Sequence, residues 1–146
     1  MSRILTDEQE IIRANAREFA TTTLLKKTQE GLAIMAKEGK APFSFGAWED
    51  MAELGFIGMT VPEEYGGAGL GLVEEMLVIE EISKVNSACS TNIDAHNLAL
   101  NTIRYCGSED QRQRYLTRAA KGELILAAAI TEPAGSSNFE EWGDTV

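Results

Sequence analysis

One segment constrains the fold more than any other: LVEEMLVIEEIS, residues 72–83. Its charges are confined to two glutamate pairs, and the rest of the segment is apolar around nearly its whole circumference. Helices of this kind are buried inside a domain, so other helices must surround this one. A second segment, NIDAHNLALNTIRYC (92–106), predicts another interior helix, which ends at Gly107. With 146 residues, the chain is long enough to enclose both helices in one core.

Further helices are marked by their start and stop signals. Capping boxes at TDEQ (6–9) and SEDQ (108–111) predict helices that extend to about Thr22 and Ala120. The glycine-rich stretch 56–71 predicts a loop. Apolar spacing and glycine stops predict two more helices, at 25–37 and 47–54.

The last apolar run, LILAAAI (124–130), predicts a buried strand, because it has the length of a strand and follows Gly122. A strand needs a neighbour for its backbone hydrogen bonds, so we expect the sheet to be completed outside this chain. The predicted fold class is therefore all-α. We expect an antiparallel bundle of about six helices (1–123), ending in the first strand of a β-domain that is mostly absent (124–146).

The chain is acidic, with 13 basic and 23 acidic residues and a formal net charge of −10. Such a surface repels nucleic acid and anionic membranes, so neither is expected as a partner. No apolar run approaches the ~18 residues of a membrane span, and the first residues have no signal-peptide core. The two cysteines lack CxxC spacing, which favours free thiols in a cytoplasmic compartment. With a single histidine, His96, the sequence predicts no metal site.

Three features that could carry chemistry have simpler structural interpretations. Glu80 and Glu81 are adjacent, so on a helix they point about 100° apart. Solvation or a buried ion pair is favoured over an acid–base pair. His96 lies among apolar residues and is interpreted as a hydrogen-bonded core histidine. YGGAG (65–69) lacks the spacing of a phosphate loop and is interpreted as a turn between helices.

Four motifs in succession resemble those of the acyl-CoA dehydrogenase family. They are VPEEYGG (61–67), IEE (79–81), GSEDQRQRYLTRAAKG (107–122) and TEPAGS (131–136). The resemblance covers essentially the whole chain, in order and with family-like spacing. It implies an N-terminal helical domain that enters a flavin-binding middle β-domain close to the TEPAGS motif.

The resemblance also implies site residues. Ile130, Thr131 and the turn formed by Gly135, Ser136 and Ser137 are expected to contact FAD, and Ser137 also the bound CoA ester. Small residues and hydroxyls suit this role, because they let the backbone approach a flavin and they donate hydrogen bonds. The two interior helices are expected to wall the acyl cavity, with four further candidates: Ser90, Asp94, Ala95 and Asn97.

The match departs from the family at the expected flavin turn. The family usually has Gly-Ala-Gly-Ser-Asp after the proline, whereas residues 134–138 here are AGSSN, and a common aromatic position is Ala128. These changes leave the particular flavin contacts and the acyl preference open. The connector VNSACSTNI (85–93) consists almost wholly of small residues, which predicts either space for an acyl chain or close packing of the two helices.

The implied reaction is α,β-dehydrogenation of an acyl-CoA, with electrons passed from FAD to an electron-transferring flavoprotein. In the family a glutamate of the C-terminal domain removes the α-proton. No catalytic residue is therefore assigned here, and this chain alone is expected to be inactive. We expect the full-length protein to be a dimer or tetramer, cytoplasmic or in the mitochondrial matrix of a eukaryote. Two alternatives stay open: a same-fold flavoenzyme (acyl-CoA oxidase, reductase or flavin monooxygenase) or a non-catalytic helical interaction module.

Overall fold

The computed structural model describes residues 4–131. Within this range two short turns, Phe43–Gly46 and Glu63–Tyr65, separate longer helices. In the first turn Ser44 and Phe45 have left-handed backbone angles. The all-helical bundle expected from the sequence is confirmed for the described part of the chain. Its α-helices are α1 Asp7–Phe19, α2 Leu25–Glu38, α3 Trp48–Glu53, α4 Leu72–Ser83, α5 Ser87–Cys106 and α6 Glu109–Ala120.

The first two helices form one continuous rod. The expected capping box starts it: the Gln9 amide donates to the Thr6 hydroxyl at 3.1 Å, and the Thr6 amide donates to the Gln9 side chain at 3.0 Å. The sequence predicts two separate helices here, but a π-helical segment, Ala20–Leu24, joins them. The hydroxyls of Thr21 and Thr22 bond to carbonyls one turn earlier, which is compatible with an unbroken helix.

The helix α4 lies at the centre of the bundle, as its apolar sequence predicts. It packs against α1 on one side and α5 on the other. A larger core cluster joins α1, α3, α4 and the start of α5, and a smaller one joins α5 to α6. Their buried side chains include Phe19, Met51, Val78, Ile82 and Ile93 in the larger cluster and Val61, Leu100 and Leu116 in the smaller.

The helix α5 begins earlier than the sequence predicts. Its first residue is Ser87 rather than Asn92, because Asn86 caps it. The Asn86 Oδ1 accepts hydrogen bonds from two amides of the first turn, at 3.0 and 3.2 Å. The expected connector 85–93 is thus helical from Ser87 onward, and both interpretations of its small residues, space for an acyl chain or close packing of the helices, stay predictions.

The end of the described range is irregular: residues 124–131 form neither helix nor strand. The expected strand 124–130 is therefore absent from residues 4–131, where no other strand offers an edge for it to pair with. The rest of the expected β-domain start, 132–146, lies outside the described residues. Of the helices described, none has the length and apolar character needed to cross a membrane.

Candidate functional site

An apolar groove runs between α5 and the irregular residues 126–130. It has a volume of about 490 Å³ and is open to solvent. One wall is formed by α5 and the other by these irregular residues, including Ile130. A concave, mostly apolar surface of this size is where a small molecule binds, and this groove is the candidate site. The α5 wall consists of Leu98, Ala99, Thr102 and Ile103.

A buried histidine binds the second wall of the groove, which is formed by residues 126–130. His96 has no exposed surface, and the Leu126 amide donates to its Nδ1 at 3.0 Å. Its Nε2 lies 3.2 Å from the Ala119 carbonyl at the end of α6. Burial lowers the pKa of His96, so the ring is neutral at pH 7. The interpretation of His96 as a hydrogen-bonded core histidine is confirmed. Its bond to the Leu126 amide was not predicted from the sequence.

The four predicted acyl-pocket residues on α5 separate into two pairs, and none of them lines the groove. Ser90 and Asn97 are 5% and 1% exposed. The Ser90 hydroxyl donates to the Ser87 carbonyl at 2.9 Å. Asp94 and Ala95 are exposed on the outer surface of the helix. In this conformation, Asp94 and Ala95 are the pair with side-chain surface open to a ligand.

Sequence reasoning missed the partner of Asn97, which is Glu75 on α4. Asn97 Nδ2 donates to Glu75 Oε1 at 2.9 Å, while Glu75 Oε2 and Asn97 Oδ1 have no partner among the described residues. Burial raises the pKa of Glu75, against a smaller lowering by the Asn97 bond. Glu75 also borders a cavity of about 300 Å³, where Thr60 and Asn101 each bury another unpaired oxygen. The glutamate pairs of α4 were visible in the sequence, but not which member faces inward.

Two of the predicted flavin contacts, Ile130 and Thr131, lie within the described range, whereas Gly135, Ser136 and Ser137 lie outside it. Ile130 is 37% exposed, and Thr131 is also exposed. Residues 127–131 make no backbone–backbone hydrogen bond to the described part of the chain. Their amides therefore have no backbone acceptor among the described residues, and the three alanines at 127–129 allow a close approach. This donor set fits the edge of a flavin.

Comparison with known proteins identifies the family. Residues 6–123 match the family model described as "Acyl-CoA dehydrogenase, N-terminal domain". The chain belongs to the acyl-CoA dehydrogenase family. Membership in this oxidoreductase family, expected from four motifs, is thereby confirmed.

The acyl-CoA dehydrogenase relatives are longer than this chain. Isovaleryl-CoA dehydrogenase, mitochondrial, from Bos taurus is 38% identical over 135 residues, which are 92% of this chain and 31% of the relative. The acyl-CoA dehydrogenase structure from Geobacillus kaustophilus matches with a TM-score of 0.77 at 33% identity, covering 94% of this chain and 35% of that one. This chain thus spans about a third of the length of the proteins it matches.

A further structural match is described as "Electron transferring flavoprotein of Acidaminococcus fermentans: Towards a mechanism of flavin-based electron bifurcation". Its TM-score is 0.78 at 34% identity, and the match covers 92% of this chain and 34% of that chain. The helical arrangement described above is therefore shared with several solved structures.

Proposed function

We propose that this chain is the N-terminal helical part of an FAD-dependent acyl-CoA dehydrogenase that oxidises a thioester between its α and β carbons. The observation that carries the proposal is the groove along α5. It is apolar and open, and its outer wall is the segment that leads through Ile130 to Thr131. An acyl chain in such a groove would lie beside backbone amides that have no partner within the described residues.

The residues proposed to hold FAD are Ile130, Thr131, Gly135, Ser136 and Ser137. Thr131 would donate a hydrogen bond from its hydroxyl to the flavin, and the small residues of 135–137 would let the backbone approach the flavin. Bound FAD supplies the acceptor for the hydride that leaves the β carbon. The chain's own contribution is to orient the flavin edge and to shield it from water.

The wall of the acyl pocket is proposed to include Ser90, Asp94, Ala95 and Asn97, with Ser137 contacting the CoA ester. Asp94 and Ala95 are exposed on α5 about one turn before the groove residues Leu98 and Ala99, so they would contact the part of the substrate that extends past the groove. Ser90 and Asn97 would support them from inside the bundle. No residue of this chain is proposed as the base that removes the α-proton, and we assign that step to the part of the enzyme that this chain lacks.

The proposed partners follow from the reaction. Reduced flavin must be reoxidised, and we propose an electron-transferring flavoprotein as the acceptor. We also propose that the full-length enzyme forms a dimer or tetramer. By full-length enzyme we mean a protein of the length of these relatives that contains this chain.

The experiment that tests the function measures bleaching of flavin absorbance in the full-length enzyme when a series of acyl-CoA thioesters is added without oxygen. We expect bleaching by at least one thioester, followed by reoxidation with an electron-transferring flavoprotein. A Thr131→Val variant, which keeps the shape and removes the hydroxyl, should lose flavin affinity or reduction rate by about tenfold. A full-length enzyme that carries flavin but is not bleached by any thioester would contradict the proposal.

The pocket wall is tested by Ala95→Leu in the same full-length enzyme. The larger side chain should shift the preference towards shorter or narrower acyl-CoAs and leave the flavin content intact. Lys37→Leu, on the exposed surface of α2, is a matched control that adds a leucine away from α5. An unchanged order of relative rates across the thioester series would show that α5 does not contact the acyl chain at Ala95.

A further inference from the structure

We propose that His96 is a positioning residue: its neutral imidazole fixes residues 122–126 against α5 and thereby sets where the segment 127–131 presents its backbone. The part concerning flavin rests on the function proposed above, whereas the contacts at His96 do not. Neither the family match nor the predicted site residues assign a role to this histidine.

The hydrogen bonds of His96 leave a single arrangement of its ring. The Leu126 amide can only donate, so Nδ1 must be the acceptor in the 3.0 Å contact. The Ala119 carbonyl can only accept, so Nε2 carries the proton in the 3.2 Å contact. Because the side chain has no exposed surface, water cannot replace either partner. We call this ring with its two backbone bonds the His96 clamp.

The clamp closes a short loop that a second aromatic ring also holds. Trp48 Nε1 donates to the Gly122 carbonyl at 2.9 Å, and the Trp48 ring meets His96 edge-on with 5.2 Å between centroids. Gly122 has a φ of +70°, and a Cβ there would lie 2.7 Å from the Ala52 Cβ. The backbone between Ala119 and Leu126 is therefore fixed at both ends and at a close approach between them.

Few hydrogen bonds join residues 124–131 to the rest of the described chain. Residues 124–131 make no backbone–backbone hydrogen bond to any described residue. The bond from Leu126 to His96 is the one hydrogen bond that ties this segment to the rest of the described chain. Four residues separate Leu126 from Thr131, so the direction of the segment at Leu126 limits where Thr131 can lie.

Two substitutions separate the two bonds of the clamp. His96→Asn places an amide oxygen near the position of Nδ1, so the Leu126 amide keeps an acceptor while the bond to Ala119 is lost. His96→Gln reaches the position of Nε2, so the bond to Ala119 is kept while the Leu126 amide loses its partner. Each variant removes one bond to backbone from the same buried position, which makes them matched controls for each other.

The experiment measures hydrogen exchange of the Leu126 amide in the 146-residue chain and flavin retention in the full-length enzyme. We expect His96→Gln to speed Leu126 exchange by about tenfold or more, relative to the change in global stability, and His96→Asn to leave it near wild type. Flavin retention should follow the same order, with His96→Asn retaining the flavin that His96→Gln loses.

Equal Leu126 exchange in the two variants overturns the clamp. Exchange that differs while a flavin-binding enzyme retains flavin equally in both overturns the positioning role. A wild-type full-length enzyme without flavin contradicts the proposed function instead. In that case the exchange of the Leu126 amide still tests the clamp by itself.

Discussion

Two glutamates of α4, Glu75 and Glu81, are each only 3% exposed but lie in opposite electrostatic surroundings. Glu81 accepts two bonds from the Arg17 guanidinium, at 2.9 and 3.2 Å, and one from Lys84 at 2.9 Å. These cations lower the pKa of Glu81 to about 2. Glu75 has no ion-pair partner among the described residues and accepts a bond from Asn97, so burial dominates and raises its pKa. The same residue type on one helix therefore stabilises the fold at one position and costs free energy at the other.

The Glu81 ion pair should make stability depend on pH below neutrality. Its folded-state pKa, about 2, lies below the ordinary value of 4.5, so its contribution is present above pH 4.5 and is lost as pH falls towards 2. We expect Glu81→Gln to lower the free energy of unfolding by about 2 kcal/mol at pH 7, a figure reduced for the half-exposed Arg17 and Lys84. Urea denaturation of wild type and variant from pH 7 down to pH 3 measures the difference. A deficit that stays constant over this range would rule out the ion pair as its cause.

Glu75 should behave in the opposite sense. Because its folded-state pKa is raised above 4.5, the protein loses stability as pH rises from below 4.5 through that raised pKa. Glu75→Gln removes the buried charge and offers a donor to the unpaired Asn97 Oδ1. We expect it to stabilise the chain by on the order of 1 kcal/mol at pH 7 and by progressively less towards pH 4. Thermal denaturation at pH 7 and pH 4 makes the comparison, and a variant that melts lower than wild type at pH 7 would contradict it.

Only part of these side-chain contacts could be predicted from the sequence. Solvation or a buried ion pair for Glu80 and Glu81 was predictable, because a charge inside an apolar helix must be solvated or paired. The partner of Glu81, Arg17, was not predictable, since it lies 64 positions away and depends on how α1 packs on α4. The bond from Leu126 to His96 was hidden for the same reason. Individual side-chain partners across helices are set by tertiary packing, which periodicity does not describe.

At the level of elements, the π-helical segment Ala20–Leu24 lets one rod serve two packing surfaces. A π-helix carries about one extra residue per turn compared with an α-helix, so such a segment absorbs one residue without rotating the helices on either side. Phe19 and Leu24, at its two ends, are both buried. The buried faces of α1 and α2 are thus kept in phase across the segment.

Deleting Thr22 should therefore be tolerated. The exposed residue can be lost while the segment tightens to an α-helix, and the flanking helices keep their phase. We expect a change in the free energy of unfolding of about 1 kcal/mol or less. Deleting the exposed Asn15 is the matched control, because it displaces the buried Ala16 and Phe19 by one position and should cost several kcal/mol. Chemical denaturation of both deletion variants provides the test, and equal losses would show that the π-helical segment is not what absorbs the residue.

Element boundaries were predictable where a local signal marked them. The capping boxes at Thr6 and Ser108 start α1 and α6 as expected. The start of α5 was predicted too late in the chain, because the small residues of 85–93 give little helical pattern while Asn86 caps the helix. The expected strand 124–130 could not form from this chain's described residues alone, since a strand is completed by its neighbours rather than by its own residues.

The groove along α5 has one helical wall and one irregular wall, and it is open to solvent. The chain spans about a third of the length of its relatives. The helical bundle was predictable, because apolar periodicity and caps are properties of short segments. Five flavin contacts were expected from the family resemblance, and three of them, at 135–137, lie beyond the described range, so the flavin site stays a prediction.

We therefore expect the 146-residue chain by itself to bind FAD weakly or not at all. Its proposed contacts reach one edge of the flavin, which leaves most of the cofactor in water. Gel filtration of the chain with excess FAD, followed by an absorbance spectrum of the protein peak, measures this. A yellow complex with one flavin per chain that survives the column would show that residues 1–146 hold the cofactor unaided.

The edge-on contact between Trp48 and His96 has a consequence for how the protein can be observed. Indole emission responds to a neighbouring imidazole and to the hydrogen bond of its own Nε1, and the two rings here lie 5.2 Å apart. Trp48 is therefore a built-in fluorophore at the point where the chain leaves the helical bundle. Replacing the second tryptophan, Trp142, by phenylalanine would leave Trp48 as the single emitter. The fluorescence of Trp48 would then report, without any added dye, whether residues 122–126 are bound to the helical bundle or released from it.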